Sequence, residues 1–344
     1  MPDRRECLMK KLVLVYLVLI AAFAVFLYAA FSKDDSDALG GVTGLHGERG
    51  ETYVMVNFLT GIDYWKNALK GFEDAAEALG VSVEYRGSTQ YDVHEEVKVL
   101  EQAIARKPAG IAISAINSDA LRAAIDKAVD AGIPVVMFDS DAPSSKAYSF
   151  LGTDNYEAGV TAARQMAERV GATGKVGIIT HPNQLNHQER TRGFEETLRK
   201  EFPGLVPASV ADGKGDQLES ERAAAAMMKR DPDLVGIFVT EANGGVGAGN
   251  AVLKQGKLGE VRIISFDTNK ATLDMVKSGT IAATLAQGTW NMGYWSLMQL
   301  FHARQERIDP LPDWQSAGVS PLPAYVDTGI TVVTRDNVDL YYAK

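Results

Sequence analysis

The chain has 344 residues, 46% hydrophobic and 23% charged, enough for about two domains that each bury a core of their own. Its net charge of −9 argues against a nucleic-acid partner, because binding along a phosphate backbone needs a basic face. Cys7 is the only cysteine and the five histidines are scattered without ligand spacing, so neither an internal disulfide nor a Cys- or His-based metal site is expected.

The first element is apolar. Leu12 to Phe31, LVLVYLVLIAAFAVFLYAAF, is a run of 20 residues without a charge. At about 1.5 Å per residue a helix of that length spans roughly the 30 Å hydrocarbon core of a bilayer. Arg4, Arg5, Lys10 and Lys11 precede it, which places residues 1–11 in the cytoplasm and the rest of the chain outside the cytoplasmic membrane. Set against Asp3 and Glu6, those four cations give the first 31 residues a charge of +2, so the remainder carries −11. The alternative is a cleavable signal, since MKKLVLV from Met9 resembles a signal start. Such a signal has an apolar region of about 7–15 residues, and the one small-x-small site, Ala22 to Ala24, lies inside the run. The reading is an uncleaved anchor over 12–31. Cys7 precedes it and is not placed to become a lipidated N-terminus after cleavage. Residues 32–52, SKDDSDALGGVTGLHGERGET, are polar, Gly-rich and aperiodic, and are expected to be a flexible tether.

From residue 53 onward, apolar β-branched runs alternate with amphipathic stretches. YVMVNF, GIAIS, PVVMF, KVGIIT, GIFVT and VRIISF are the runs. DYWKNALKGFEDAAEALG illustrates the stretches between them, with Trp65, Leu69, Phe72, Ala76 and Leu79 on one face and Gly80 as its stop. Strands that are apolar throughout, alternating with helices, mean α/β architecture with doubly wound parallel sheets covered on both faces. The alternation comes in two similar halves. One reaches VVMFDSD before YSFLGTDN opens a helix, and the other reaches IISFDTN before IAATLAQGTWN does. Asp139 and Asp267 therefore stand at equivalent strand ends, where ligands of open α/β sheets bind. Each could instead cap its following helix. Two matched carboxylates favour a shared crevice between two lobes.

Enzyme motifs are weak. In TEANGGVGAGNA the glycines at 244, 245, 247 and 249 miss the dinucleotide register, with Asn250 where the third glycine belongs. No phosphate-loop lysine motif and no Gly-x-Ser-x-Gly elbow occurs, and no cofactor is expected. What remains are polar and aromatic residues at strand-to-helix junctions. Asp63, Tyr64 and Trp65 open the first helix; adjacent helical residues point about 100° apart, so Tyr64 and Trp65 cannot both serve one core face. Arg190 in QERTRGF offers forked donors, whereas a solvated role fits Arg192 better. Gln287 ends an apolar strand with Trp290 within a turn, and its amide both donates and accepts.

DYWKNALKGF, GIAISAINSDAL, AGIPVVMFDSDAP, FLGTDNYEAG, QLNHQERTRGF, DPDLVGIFVTEANGGVGA, IISFDTN and GTIAATLAQ, in this order, resemble the ribose-type (type I) periplasmic sugar-binding proteins of ABC transporters across residues 53–305. The resemblance implies two lobes joined by three crossovers, near Thr153–Asn155, near Gln287–Thr289 and in the final Pro-rich stretch. Lobe 1 would then comprise 53–153 with 288–315, and lobe 2 154–287 with 316–344. It implies a ligand site on Tyr64, Trp65, Ser114, Asp139, Asn186, Arg190, Asp267 and Gln287. Ser140 and Asp141 stand where ribose-binding members resemble an arginine contact, and Glu241 and Asn243 stand near an expected Asn-Asp pair. A lobe-two aromatic near ADGKGD is missing, a space Trp290 is expected to fill. Another pentose, an inositol or an amino-bearing polyol thus fits better than ribose. The resemblance implies a non-enzymatic, monomeric receptor that captures a neutral or amino-bearing monosaccharide or cyclic polyol by hinge closure and presents it to an ABC permease. The alternative is a membrane-tethered sensor that docks on a sensor kinase or chemoreceptor. A sugar-responsive repressor of the same fold would need a DNA-binding helix-turn-helix where this chain has its apolar span.

Overall fold

The computed structural model describes residues 16–25, 45–305, 319 and 322–342. Residues 16–25, from within the uncharged stretch, form a helix (α1). Among the described residues no helix is long and apolar enough to cross a membrane. The remainder of the expected span, 12–15 and 26–31, lies outside the described residues, as do segment 1–11 and tether residues 32–44. The last tether residues are held in place. Gly47 donates its N–H to the Leu79 carbonyl at 2.8 Å, the Arg49 carbonyl accepts from Ser82 Oγ at 2.8 Å, and Glu51 accepts from Gln305 Nε2 at 3.0 Å. The tether expectation therefore runs too far: within residues 47–51, Gly47, Arg49 and Glu51 find hydrogen-bond partners on the folded body.

The first sheet is built from β1 (Thr52–Asn57), α2 (Trp65–Leu79), β2 (Ser82–Gly87), α3 (Val93–Ala105), β3 (Gly110–Ile113), α4 (Ser118–Asp130), β4 (Val135–Phe138) and β5 (Phe150–Gly152). The second follows with α5 (Asn155–Val170), β6 (Gly174–Thr180), α6 (Leu185–Glu201), β7 (Leu205–Asp212), α7 (Gln217–Arg230) and β8 (Leu234–Val239). It continues through α8 (Gly244–Lys254), β9 (Arg262–Phe266), α9 (Lys270–Ser278) and β10 (Ala283–Gln287). The chain returns to the first lobe as α10 (Thr289–Arg304) and β11 (Tyr325–Asp327), then ends in the second with β12 (Ile330–Val333).

The sheets read β11-β5-β4-β3-β1-β2 and β12-β10-β9-β8-β6-β7. β12 runs antiparallel to β10; the other pairings among the described residues are parallel. The central strands β3 and β4 are buried along their whole length, as continuous apolar runs in a doubly covered sheet must be. Asp92, Asn117, Asp154 and Asp216 cap α3, α4, α5 and α7 with their side chains. α2 and α6 start without such a cap, leaving Tyr64 and Gln184 free to face elsewhere.

Both lobes contain helix pairs that touch backbone to backbone. A Cβ on Gly293 of α10 would lie 1.8 Å from the Ala68 carbonyl oxygen of α2, and one on Gly193 of α6 would lie 2.1 Å from the Tyr156 carbonyl oxygen of α5. No side chain fits there, so these pairs hold α2 and α6 at fixed positions with their first turns beside the strand ends.

The chain passes between the sheets at 153–154, at Gly288 and at 328–329. The third passage falls later than the Pro-rich stretch. Tyr325–Asp327, expected in the second lobe, pairs instead with β5 in the first sheet, where Tyr325 stacks on Phe150 at 5.6 Å. Its three residues offer the unpaired edge of β5 a backbone partner, a reward that local composition does not display.

Candidate functional site

Each sheet carries the strand order 2-1-3-4-5, whose crevice opens at the carboxyl ends of the strands. Residues following β1, β4, β6, β8 and β9, together with the end of β10, line one interlobe cavity of about 500 Å³, including its open end.

The matched carboxylates meet there. Asp139 and Asp267 both take left-handed backbone, φ +60° and +68°, at the ends of β4 and β9. Aspartate tolerates this conformation better than most residues. Their N–H groups still serve the sheets, donating to Leu151 O at 3.1 Å and Leu285 O at 2.8 Å. The carboxylates do not act as helix caps. Asp139 accepts from the Tyr64 hydroxyl and from Ser114 Oγ at 2.8 Å, while Asp267 accepts from Gln287 Nε2 at 2.8 Å.

Arg190, 1% exposed, is the cation beside them. It donates to Asn155 Oδ1 at 2.9 Å, the Thr240 carbonyl at 2.8 Å and Gln287 Oε1 at 2.7 Å, and its guanidinium lies 4.1 Å from the centre of the Phe266 ring. Gln287 uses its whole amide: Nε2 also donates to the Tyr64 hydroxyl at 3.1 Å, and Oε1 also accepts from Thr153 Oγ1 at 2.8 Å.

Burial dominates the electrostatics. It pushes Asp267 up to about 6, against the pull of Arg190, and Glu241 up to about 7. It raises Asp139 as well, opposed by the Tyr64 hydrogen bond and by Arg190. His187 is held well below the usual imidazole range by burial first and then by Arg190. The result is an acceptor-rich cavity with one guanidinium, neutral imidazoles and aromatic walls. Such a set can ligate many hydroxyls at once and cover the faces of a ring.

The structure brings most of the expected residues to this cavity. Tyr64, Trp65, Asp139 and Asn186 line it, as do Arg190, Glu241, Asn243, Asp267 and Gln287. Trp65 and Tyr64 stand edge to face at 4.8 Å, so both reach the cavity despite their angular separation. Others lie elsewhere. Ser114 stands behind Asp139 and orients it. Ser140 is buried outside the lining, its hydroxyl without a partner. Asp141 lines a neighbouring cavity that shares Asn186. Asp63 turns to an outer groove and pairs with Lys66 at 2.7 Å.

Trp290 does not replace the missing lobe-two aromatic. It is 39% exposed on the flank of α10, donates to Asp74 Oδ2 at 2.9 Å and stacks on Tyr294 at 4.7 Å. Trp290→Ala is accordingly expected to leave ligand affinity within about twofold, as a substitution outside the cavity should; titration calorimetry against wild type checks it.

Several lining residues were not foreseen. Phe58, Leu59 and Ile62 follow β1, Tyr91 precedes α3, and His181, Gln184 and His187 follow β6. The signal for the last three was position: HPNQLNHQE begins at a strand-to-helix junction of the same kind as FDSD and FDTN.

A family model described as a periplasmic binding protein domain matches residues 53–307. The chain belongs to this family. A sugar ABC transporter's sugar-binding protein from Bacillus halodurans is 60% identical, with a TM-score of 0.78 over 85% of this chain and 100% of that one. AraP, an arabinose binding protein from Geobacillus stearothermophilus, is 63% identical, with a TM-score of 0.75 over 85% of this chain and 99% of that one. A D-ribose/D-allose-binding protein of Pseudomonas aeruginosa is 28% identical over 237 residues, 67% of this chain and 72% of the relative. This periplasmic binding protein is thus of the ribose-type, sugar-binding class and not an enzyme, as the motif order implied. Its two parallel-sheet α/β lobes are the family's type I architecture.

Proposed function

We propose that this binding protein captures one monosaccharide ring, a pentose of the arabinose kind foremost, between its lobes by hinge closure and presents it to an ABC permease on the outer face of the membrane. The observation that carries the reading is the convergence of Asp139 from one lobe with Asp267 and Arg190 from the other on a single cavity. The name of the 63% identical relative supports the choice of sugar. A micromolar site needs about −8 kcal/mol, and charge-assisted hydrogen bonds of about 1.5–3 kcal/mol each to buried groups supply it after ordering costs. Titration calorimetry of the full chain against pentoses, hexoses, inositols and amino-polyols is expected to give saturable binding with a pentose at the top. No saturable binding to any of them would overturn the reading.

Binding should depend on pH with a definite sign. Sugar hydroxyls donate to ionised carboxylates, and in the free protein Asp267 titrates near 6 and Glu241 near 7. Below those values a proton must leave for the sugar to bind. Affinity is expected to fall as pH drops from 8 to 5, by up to about tenfold per unit for each proton displaced. Calorimetry in buffers of different ionisation enthalpy reads the released proton. The sugar-free protein should show the opposite trend, because these folded-state values are raised. Their contribution to stability is full below the unfolded carboxyl range and is lost as pH rises through about 6 to 7.

A second reading is favoured by the 20 uncharged residues Leu12–Phe31. An anchor would keep the receptor near a membrane partner at high effective concentration, which suits a tethered sugar sensor docking on a sensor kinase or chemoreceptor. Neighbouring permease and ATPase genes would support uptake, and a neighbouring sensor-kinase gene would support sensing.

A further inference from the structure

The crossovers occupy one edge of each sheet, at β5 and β11 and at β10 and β12. The opposite edges, β2 and β7, therefore mark the mouth of the cleft. Five strand spacings of about 4.8 Å put that mouth roughly 24 Å from the crossovers, where any opening of the lobes is largest. Contacts made there across the lobes act with the longest lever.

One such contact exists. Tyr91, on the loop between β2 and α3, lays its ring parallel to the His181 imidazole after β6, at 4.8 Å and 11°. Its hydroxyl donates to Gln184 Oε1 at 2.8 Å. The loop is stiff: Asp92 caps the Glu95 N–H at 2.8 Å, and the Glu95 carboxylate reaches back to the Thr89 and Gln90 N–H groups at 2.9 and 3.1 Å. The Phe58 ring backs Tyr91 edge-on at 5.6 Å. On the other lobe, His181 Nδ1 lies 3.5 Å from Asp212 Oδ1. Gln184 is 1% exposed in the N-cap position of α6, yet its side chain does not cap that helix. Its Nε2 is buried without a partner while the residue lines the sugar cavity. A buried donor left open in this way is satisfied by a ligand or by ordered water.

We infer that Tyr91, His181 and Gln184 form a latch at the cleft mouth that ties sugar occupancy to closure. The bond from Tyr91 to Gln184 Oε1 already joins the lobes, and a sugar hydroxyl accepting from Gln184 Nε2 holds the amide in that orientation. His181 and Gln184 are then positioning residues for closure, and Tyr91 is the piece that must part before sugar leaves. The inference rests on the sugar-receptor reading for its ligand, though not for the contact itself.

The experiment uses the full chain with Tyr91→Phe, Tyr91→Ala and Gln184→Ala, read by stopped-flow release of L-arabinose, by calorimetry and by small-angle scattering of the sugar-free protein. Losing the hydroxyl alone is expected to speed release by about threefold or more, and losing ring and hydroxyl to weaken binding about tenfold or more, chiefly through faster release. Sugar-free Tyr91→Ala should scatter as a more open particle than wild type. Unchanged release in all three variants, or an unchanged sugar-free particle size, would overturn the latch. Should wild type bind no sugar, the receptor reading fails while the scattering comparison still decides whether the lobes are latched. If Tyr91→Ala fails to fold, Tyr91→Phe carries the release measurement.

Discussion

Replacing Arg190 with alanine is expected to lower the unfolding free energy by about 3–5 kcal/mol and to weaken sugar binding more than ~100-fold. The two losses share a cause. The guanidinium is buried and spends its donors on Asn155, Thr240 and Gln287, groups from α5, from the end of β8 and from the crossover. Its removal leaves those acceptors open in a buried site, and leaves Asp139 and Asp267 without the cation that holds their carboxyls down. Both should then titrate higher, moving the pH dependence of stability upward. Arg190→Lys keeps the charge without the planar fork and should recover part of the stability but little of the binding. Arg192→Ala, on the exposed face of the same helix and paired with Glu189, should cost less than about 0.5 kcal/mol. Urea unfolding from pH 5 to 8 with parallel calorimetry checks all three. An Arg190→Ala protein with wild-type affinity would remove the central cation from the account.

Asp267→Asn is expected to move stability and binding in opposite directions. Burial raises this carboxyl from 3.8 to about 6, so at pH 7 the fold keeps an ion it would rather neutralise. Asparagine has the same shape, accepts left-handed backbone and can still take the Gln287 hydrogen bond. It should raise stability at pH 7 by roughly 2–3 kcal/mol, with the gain shrinking as pH falls through about 6 and gone only below the unfolded value of 3.8, where aspartate is protonated in both states. Binding should fall about 50-fold or more, because a charged acceptor of sugar hydroxyls becomes a neutral one. Stability given up at a ligand site is common in natural proteins. A variant that is less stable at pH 7 than wild type, or that binds as tightly, would contradict this picture.

Much of this was legible in the sequence because the signals are local. A run such as VVMF or IISF that stops at aspartate marks the carboxyl end of a buried strand, and its repetition at 139 and 267 points both halves at one crevice. Arg190 and Gln287 were accessible by the same logic, as an early residue of a helix and the last residue of a strand. What escaped depends on distant pairing. Tyr91 and His181 stack although 89 residues of chain intervene, and no period in the sequence joins them. The third crossover was misplaced because YVD becomes a strand only through the free edge of β5. Trp290 was misjudged because its neighbourhood names a hinge while its helical phase decides its direction. Met292, Gly293 and Ser296 face inward on α10, and Trp290 falls beside that stripe, against α2.

The backbone angles at the two acids constrain how a receptor of this kind can change its diet. With φ near +60°, most side chains crowd a carbonyl at a cost of about 1–2 kcal/mol, which glycine escapes and aspartate and asparagine offset by bonding locally. Exchange for glutamate, serine or glutamine at 139 or 267 carries a conformational penalty before any sugar is considered. Positions with ordinary φ, among them Asn186, Glu241 and Asn243, carry no such penalty. Drift from one sugar to another thus has its low-cost routes around the acidic pair, and lineages descended from such a scaffold should diversify the ring of neighbours while the clamp itself stays put.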